Sequence, residues 1–156
     1  MPQRLSEVPL CELIPETQEW NGGRGIDLLA WFGCVGSIEH AIACGELFWP
    51  DFVEYDGCVL FAGFSEESYR GFMTQTGGDR RAVEAVMNHR HIIDFFSGSG
   101  KEPARHQVAY LGRLLSEMWA TKLHREFPTK DFVVSYPEVL SEWLLDYEIT
   151  FHQTKN

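Results

Sequence analysis

Apolar and polar positions along the chain follow two rhythms, one of helices and one of strands. Between residues 80 and 96, Ala82, Val86, His89, Ile93 and Phe96 recur at steps of four and three, with Val83 and Met87 beside them. That is the stripe an amphipathic helix buries, and Asp79 stands at the capping position. A second stripe, Val108, Leu111, Leu115, Met118 and Trp119, predicts another helix from Pro103 to about Glu126, stopped by Pro128. Earlier, Ile26 to Val35 is apolar nearly throughout and reads as a short buried helix. Ser37 then caps a stretch in which Ile38, Ala41 and Ile42 keep helical spacing as far as Gly45. Ser65 opens a further helical turn over Tyr69 to Met73, ended by Gly77 and Gly78.

Strand signals are fewer. The segments Phe48–Tyr55 and Cys58–Ala62 flank Asp56 and Gly57, a pair that tolerates positive φ and so predicts a hairpin. Asp131 to Tyr136 reads as a strand, Pro137 to Leu145 as a short helix, and Tyr147 to His152 as a closing strand of period two. Residues 1–25, with Pro2, Pro9, Pro15 and the turn-rich Trp20–Gly25, read as an irregular lead-in to a single domain over 26–156. The expected fold is therefore α+β: helix-rich, with two long central helices and a small antiparallel sheet.

Composition narrows the class. With 44% hydrophobic and 13% aromatic residues, the 156-residue chain is too apolar for intrinsic disorder. Apolar runs fall short of the ~20 residues of a membrane span, and the opening Met1–Leu5 lacks the apolar stretch of a secretion signal. A cytoplasmic protein with no membrane association is expected. Cys11, Cys34, Cys44 and Cys58 show neither pairing nor clustering, and the last three sit among apolar neighbours. They are expected to be reduced, structural thiols, with no metal bound.

Charge is distributed in blocks. Residues 1–69 hold 2 basic and 12 acidic side chains, residues 70–130 hold 10 and 6, and residues 131–156 hold 1 and 5, for a net charge of −10. One reading is internal complementation between acidic ends and basic middle. The other is an anionic surface turned toward a cationic partner. The overall negative charge argues against direct nucleic-acid binding, despite Arg80, Arg81, Arg90, Lys101, Arg105 and Arg113 in the middle.

Candidate chemistry is sparse. If the helix ran on through residue 96, His89 and His91 would point ~200° apart and could not share an ion unless the helix broke there. Glu84, Asn88 and His91 would form a polar i, i+4, i+7 set, able to line a pocket or to pair with a neighbouring strand. His40 and Cys44 make an i, i+4 pair without further ligands nearby. Ser97–Lys101 lacks the first glycine and the hydroxyl of a phosphate loop. No nucleophile motif and no cofactor signature is present.

Two acidic groups stand out instead. Glu46, Asp51, Glu54 and Asp56 surround Trp49, Phe52 and Tyr55, a combination suited to a basic protein, since aromatics anchor and carboxylates steer. Glu138, Glu142 and Asp146 would form an anionic helical ridge beside Trp143. These residues point to a non-enzymatic binding or inhibitor protein of the immunity or antitoxin type, occluding a basic toxin- or effector-like partner. The alternatives are a small enzyme or ligand-binding domain using Glu84, Asn88 and His91, and an adaptor or structural subunit of a complex. The oligomeric state is not legible.

Overall fold

The computed structural model describes residues 9–139 and 141–154. Part of the lead-in (residues 1–8) and Leu140, within the expected Pro137–Leu145 helix, lie outside them. The described lead-in is a series of short turns: α1 (Leu10–Leu13), a 3₁₀ turn at Pro15–Gln18 and α2 (Trp20–Gly23). Leu13 and Thr17 are buried, and the Gln107 amide donates to the Leu13 carbonyl at 2.6 Å. Two further helices follow, α3 (Leu28–Val35) and α4 (Ile38–Phe48), capped by Asp27 and Ser37 through bonds from Ala30 N and His40 N.

The hairpin forms where Asp56 and Gly57 predict it. Strands β1 (Phe52–Tyr55) and β2 (Cys58–Phe61) pair antiparallel, and the turn residues take φ of 49° and 80°. Helix α5 (Glu66–Gln75) begins at Ser65, whose hydroxyl accepts from Ser68 N. Helix α6 (Arg80–Met87) begins at Asp79, whose carboxylate accepts from Ala82 N. After it come β3 (Arg90–His91), a 3₁₀ turn at Ile92–Phe96, the 22-residue α7 (Arg105–Glu126), β4 (Phe132–Ser135) and β5 (Glu148–Gln153). The second sheet is antiparallel, in the order β3-β5-β4. The molecule is helix-rich α+β, as the periodicity predicts.

Two expected helices are corrected. The first long one stops at Met87, because Asn88 turns the chain and Arg90–His91 enter the sheet. The predicted stripe is not the buried face either: Val83, Glu84 and Ile92 are buried, whereas Val86 and Phe96 are exposed. Of the two long central helices, α7 is the one present at full length. The other correction concerns Pro137–Leu145, where a single 3₁₀ turn at Leu144–Asp146 replaces the expected helix.

The main core gathers Phe52 and Val59 of the hairpin, Ile92, the inward face of α7 (Val108, Ala109, Leu115, Trp119, Leu123) and Tyr147, Ile149 and Phe151. A smaller cluster joins Cys58 and Leu60 to Tyr69 of α5 and Val83 of α6. Helix α6 ties the two sheets together with polar bonds. The Glu84 carboxylate accepts from Val59 N at 2.7 Å, Gln153 N at 2.7 Å and Gln153 Nε2 at 2.6 Å. One turn on, Asn88 Nδ2 donates to the carbonyls of Val59 at 2.9 Å and Phe151 at 3.3 Å. Main-chain groups of β2 and β5, which do not pair with each other, are thus satisfied by one helix face.

Candidate functional site

The hairpin residues expected to meet a cationic partner already meet cations of their own chain. Asp51 Oδ1 lies 3.0 Å from Lys122 Nζ, Glu54 pairs with Lys130 at 3.1 Å, and Asp56 pairs with Arg80 at 3.2 Å. The Tyr69 hydroxyl also donates to Asp56 at 2.8 Å. That bond first, and the Arg80 charge second, hold the Asp56 carboxyl below its ordinary range. Lys122 is itself buried. Its ammonium donates to the Trp49 carbonyl at 3.2 Å and lies within 6 Å of the Trp49 and Phe52 ring centres, at 5.7 and 5.9 Å. Aromatics ringed by carboxylates do hold a cation here, and the cation is internal.

Phe52 is only 7% exposed and belongs to the core, so it is corrected from partner anchor to packing residue. Tyr55 packs at a tilt against Phe64 and edge to face against Tyr69. The pattern in the sequence was legible, whereas the lysine that answers it lies about seventy positions downstream and only the tertiary fold brings it there.

The other expected groups are also redistributed. Glu84 and Asn88 are fully buried against main chain, so they do not line a pocket. His91 leaves them, because the chain has passed into β3. The ridge of Glu138, Glu142 and Asp146 is not built, since those residues do not share a helix. Glu142 approaches Arg105 at 4.0 Å, and Asp146 accepts from the Ser141 hydroxyl. Cys58 is buried as expected, and desolvation raises its thiol pKa. Cys34 and Cys44, expected among packed neighbours, are exposed, as is Cys11.

The pair α3 and α4 lies uncovered, as do Val139, Trp143 and Leu145 between β4 and β5. Neither helix contains a buried residue, although their sequences, LLAWFGCV and IEHAIACGELF, are among the most apolar in the chain. Leu29 is 81% exposed, Ile38 75% and Ile42 67%, with Phe32 and Val35 partly open beside them. The pair is anchored at its ends. Trp31 Nε1 donates to Glu16 at 3.0 Å, and the Leu47 carbonyl accepts from Trp119 Nε1 at 3.0 Å. Leu28, the first residue of α3, lines an apolar cavity of about 460 Å³ with Leu13, Ile92, Phe96, Val108 and Leu111.

Along this segment of the chain the charge has one sign. Neither Lys nor Arg occurs between Arg24 and Arg70. Asp27, Glu39 and Glu46, unlike the hairpin carboxylates, are in no ion pair among the described residues. The Glu39 carboxyl is held below its ordinary range, chiefly by a hydrogen bond with the Ser37 side chain. Of the residues expected to bind a partner, Glu46 alone lies on these helices. The signal that could have found the rest was the same apolar run that reads as a buried helix.

A second uncommitted group lies at the edge of the larger sheet. His89 Nε2 is 2.8 Å from Glu148 Oε2. The rings of His89 and His91 meet edge to face at 4.7 Å, and His91 stands directly opposite Glu148 in the β3–β5 register. Between the histidines, Arg90 turns the other way and lays its guanidinium 4.6 Å from the centre of the Phe61 ring. Among the described residues no helix is long and apolar enough to cross a membrane. Comparison of the chain with protein-family models, with curated proteins and with solved structures returns no match.

Proposed function

We propose that this protein is a non-enzymatic binding protein that occludes a basic protein partner, and that α3 and α4 form the contact surface. The observation that carries the reading is the exposure of Leu29, Ile38 and Ile42 on helices without a buried residue. Large apolar side chains left this open mark an interaction site, since leaving them in water forgoes roughly 25 cal/mol for each Å². Asp27, Glu39 and Glu46, which cap or lie on these helices and are in no ion pair among the described residues, fit a partner with an apolar face bordered by Lys and Arg. The hairpin does not serve, because its carboxylates are engaged by Lys122, Lys130 and Arg80. An enzymatic reading has less support, because Glu84, Asn88 and His91 do not converge on a cavity. Immunity- or antitoxin-type inhibition remains the mechanism this chemistry suits: apolar side chains supply affinity and carboxylates supply speed and choice.

The test uses the full chain as bait in a lysate of its source, beside a Leu29→Asp/Ile38→Asp/Ile42→Asp variant. A basic protein retained by the first and not the second, with association that slows as salt rises, supports the reading. An acidic partner, equal retention by both baits, or association indifferent to salt overturns it. So does salt-resistant self-association of the chain that the triple variant abolishes, because the helices then cover each other in a homo-oligomer.

A further inference from the structure

We propose that His89, His91 and Glu148 form a binding site for a divalent first-row transition ion, zinc being the best match. The local backbone creates the arrangement. Two residues apart on a helix, the histidines would diverge; two residues apart on an extended strand, they share a face. Helix α6 ends at Met87 and Arg90–His91 pair with β5, so Arg90 turns to the core while both imidazoles turn outward. Strand pairing then sets Glu148 opposite His91. A ligand atom from each of the three residues lies within 4.8 Å of the other two.

That spacing is close to what an ion needs. Zinc at ~2.0–2.2 Å from nitrogen and oxygen ligands in a tetrahedral shell sets those atoms roughly 3.3–3.5 Å apart. The side chains of His89 and Glu148 are partly exposed, so rotamer shifts can close the difference without moving the strands. Two imidazoles and a carboxylate suit zinc, nickel or copper, whereas magnesium and calcium require all-oxygen shells.

A second feature points the same way. His91 Nδ1 lies 2.8 Å from the Leu145 carbonyl. A carbonyl can only accept, so Nδ1 carries the proton and Nε2 keeps its lone pair. A second hydrogen bond that fixes ring and tautomer is the usual support of a metal-bound histidine. An ordinary His89–Glu148 ion pair leaves this orientation of His91 unexplained. Three protein ligands leave a fourth position open toward solvent, for water or for a donor from another molecule.

The experiment uses untagged full-length chain carrying Cys11→Ser, Cys34→Ser and Cys44→Ser, so that exposed thiols do not compete for the ion. Zinc is titrated by calorimetry and by competition with a chromophoric chelator. Binding of a single ion is expected. His89→Ala or His91→Ala should each weaken it by more than the roughly 10–100-fold that loss of an outer-shell partner costs. Glu148→Gln should weaken it less, and His40→Ala and His106→Ala should leave it unchanged, with circular dichroism verifying the fold of each. Zinc added to the ¹⁵N-labelled chain should shift the ring nitrogens of His89 and His91, a reading that needs no variant at the site. Absence of zinc binding, binding indifferent to His91→Ala, or ring shifts confined to other histidines would overturn the site. None of these results bears on whether α3 and α4 hold a partner.

Discussion

At the scale of single residues, the polar groups that matter most are those water cannot reach. The Glu84 carboxylate accepts three N–H donors, and through them holds β2 and β5 to α6. Glu84→Ala strands those donors in the interior. At about 1–3 kcal/mol for each unsatisfied group, urea denaturation should show a loss of no less than about 3 kcal/mol. The exposed Glu66, paired with Arg70, offers the contrast: Glu66→Ala should stay within about 0.5 kcal/mol of the parent. His152 makes a prediction of different form. Both its ring nitrogens are buried without a partner among the described residues. Desolvation, then the nearby Arg81 charge, lowers its pKa. Because the folded pKa lies below the unfolded value of about 6.5, the unfolded chain takes up this proton first as pH falls. The neutral ring's contribution to stability is therefore complete above that pH and declines below it. Denaturation from pH 7.5 down to pH 5 should show the parent losing stability relative to His152→Leu. A difference independent of pH would contradict the assignment.

Among elements, α7 meets β4 at a point where glycine is required for space. A Cβ at Gly112 would overlap the Tyr136 ring, whose hydroxyl donates to the carbonyls of Val108 and Ala109. Alanine ordinarily strengthens a helix interior by about 1 kcal/mol over glycine. Here overpacking, at about 1–3 kcal/mol, should reverse the sign and make Gly112→Ala destabilising. In a Tyr136→Ala background the same change should become stabilising, and thermal melts of the four chains decide it. Signals of this local kind explain which elements were legible in the sequence. Asp79, Ser65, Ser37 and the Asp56–Gly57 turn act on their nearest neighbours, and each forms as expected. The end of α6 was not legible, because His89, Ile93 and Phe96 continue the apolar rhythm across a break made by Asn88. With that break hidden, so was the meeting of His89, His91 and Glu148. The role of Gly112 was equally hidden, since it depends on a ring twenty-four positions away.

For the molecule as a whole, the charge blocks resolve in two ways. The acidic hairpin is answered by the basic middle of the same chain, through Lys122, Lys130 and Arg80, so complementation accounts for the hairpin's share of the asymmetry. The carboxylates of α3 and α4 find no such answer among the described residues. Hydrophobic content alone predicted α3 as a buried helix, because a sequence states how apolar a segment is and not whether anything covers it. Coverage is the physical question, and stability measures it without a partner in hand. If α3 and α4 lie open in the isolated chain, Ile38→Asp and Ile42→Asp remove almost no buried area. Each should then change the unfolding free energy by no more than about 0.5 kcal/mol. Leu115→Ala, in the packed face of α7, should cost about 2–5 kcal/mol. Hydrogen exchange should follow the same division, with amides of α3 and α4 exchanging through local opening well before those of α7 and β5. Large losses from the two isoleucine changes would mean that the helices are already packed in solution, and that the free surface needed for a basic partner does not exist.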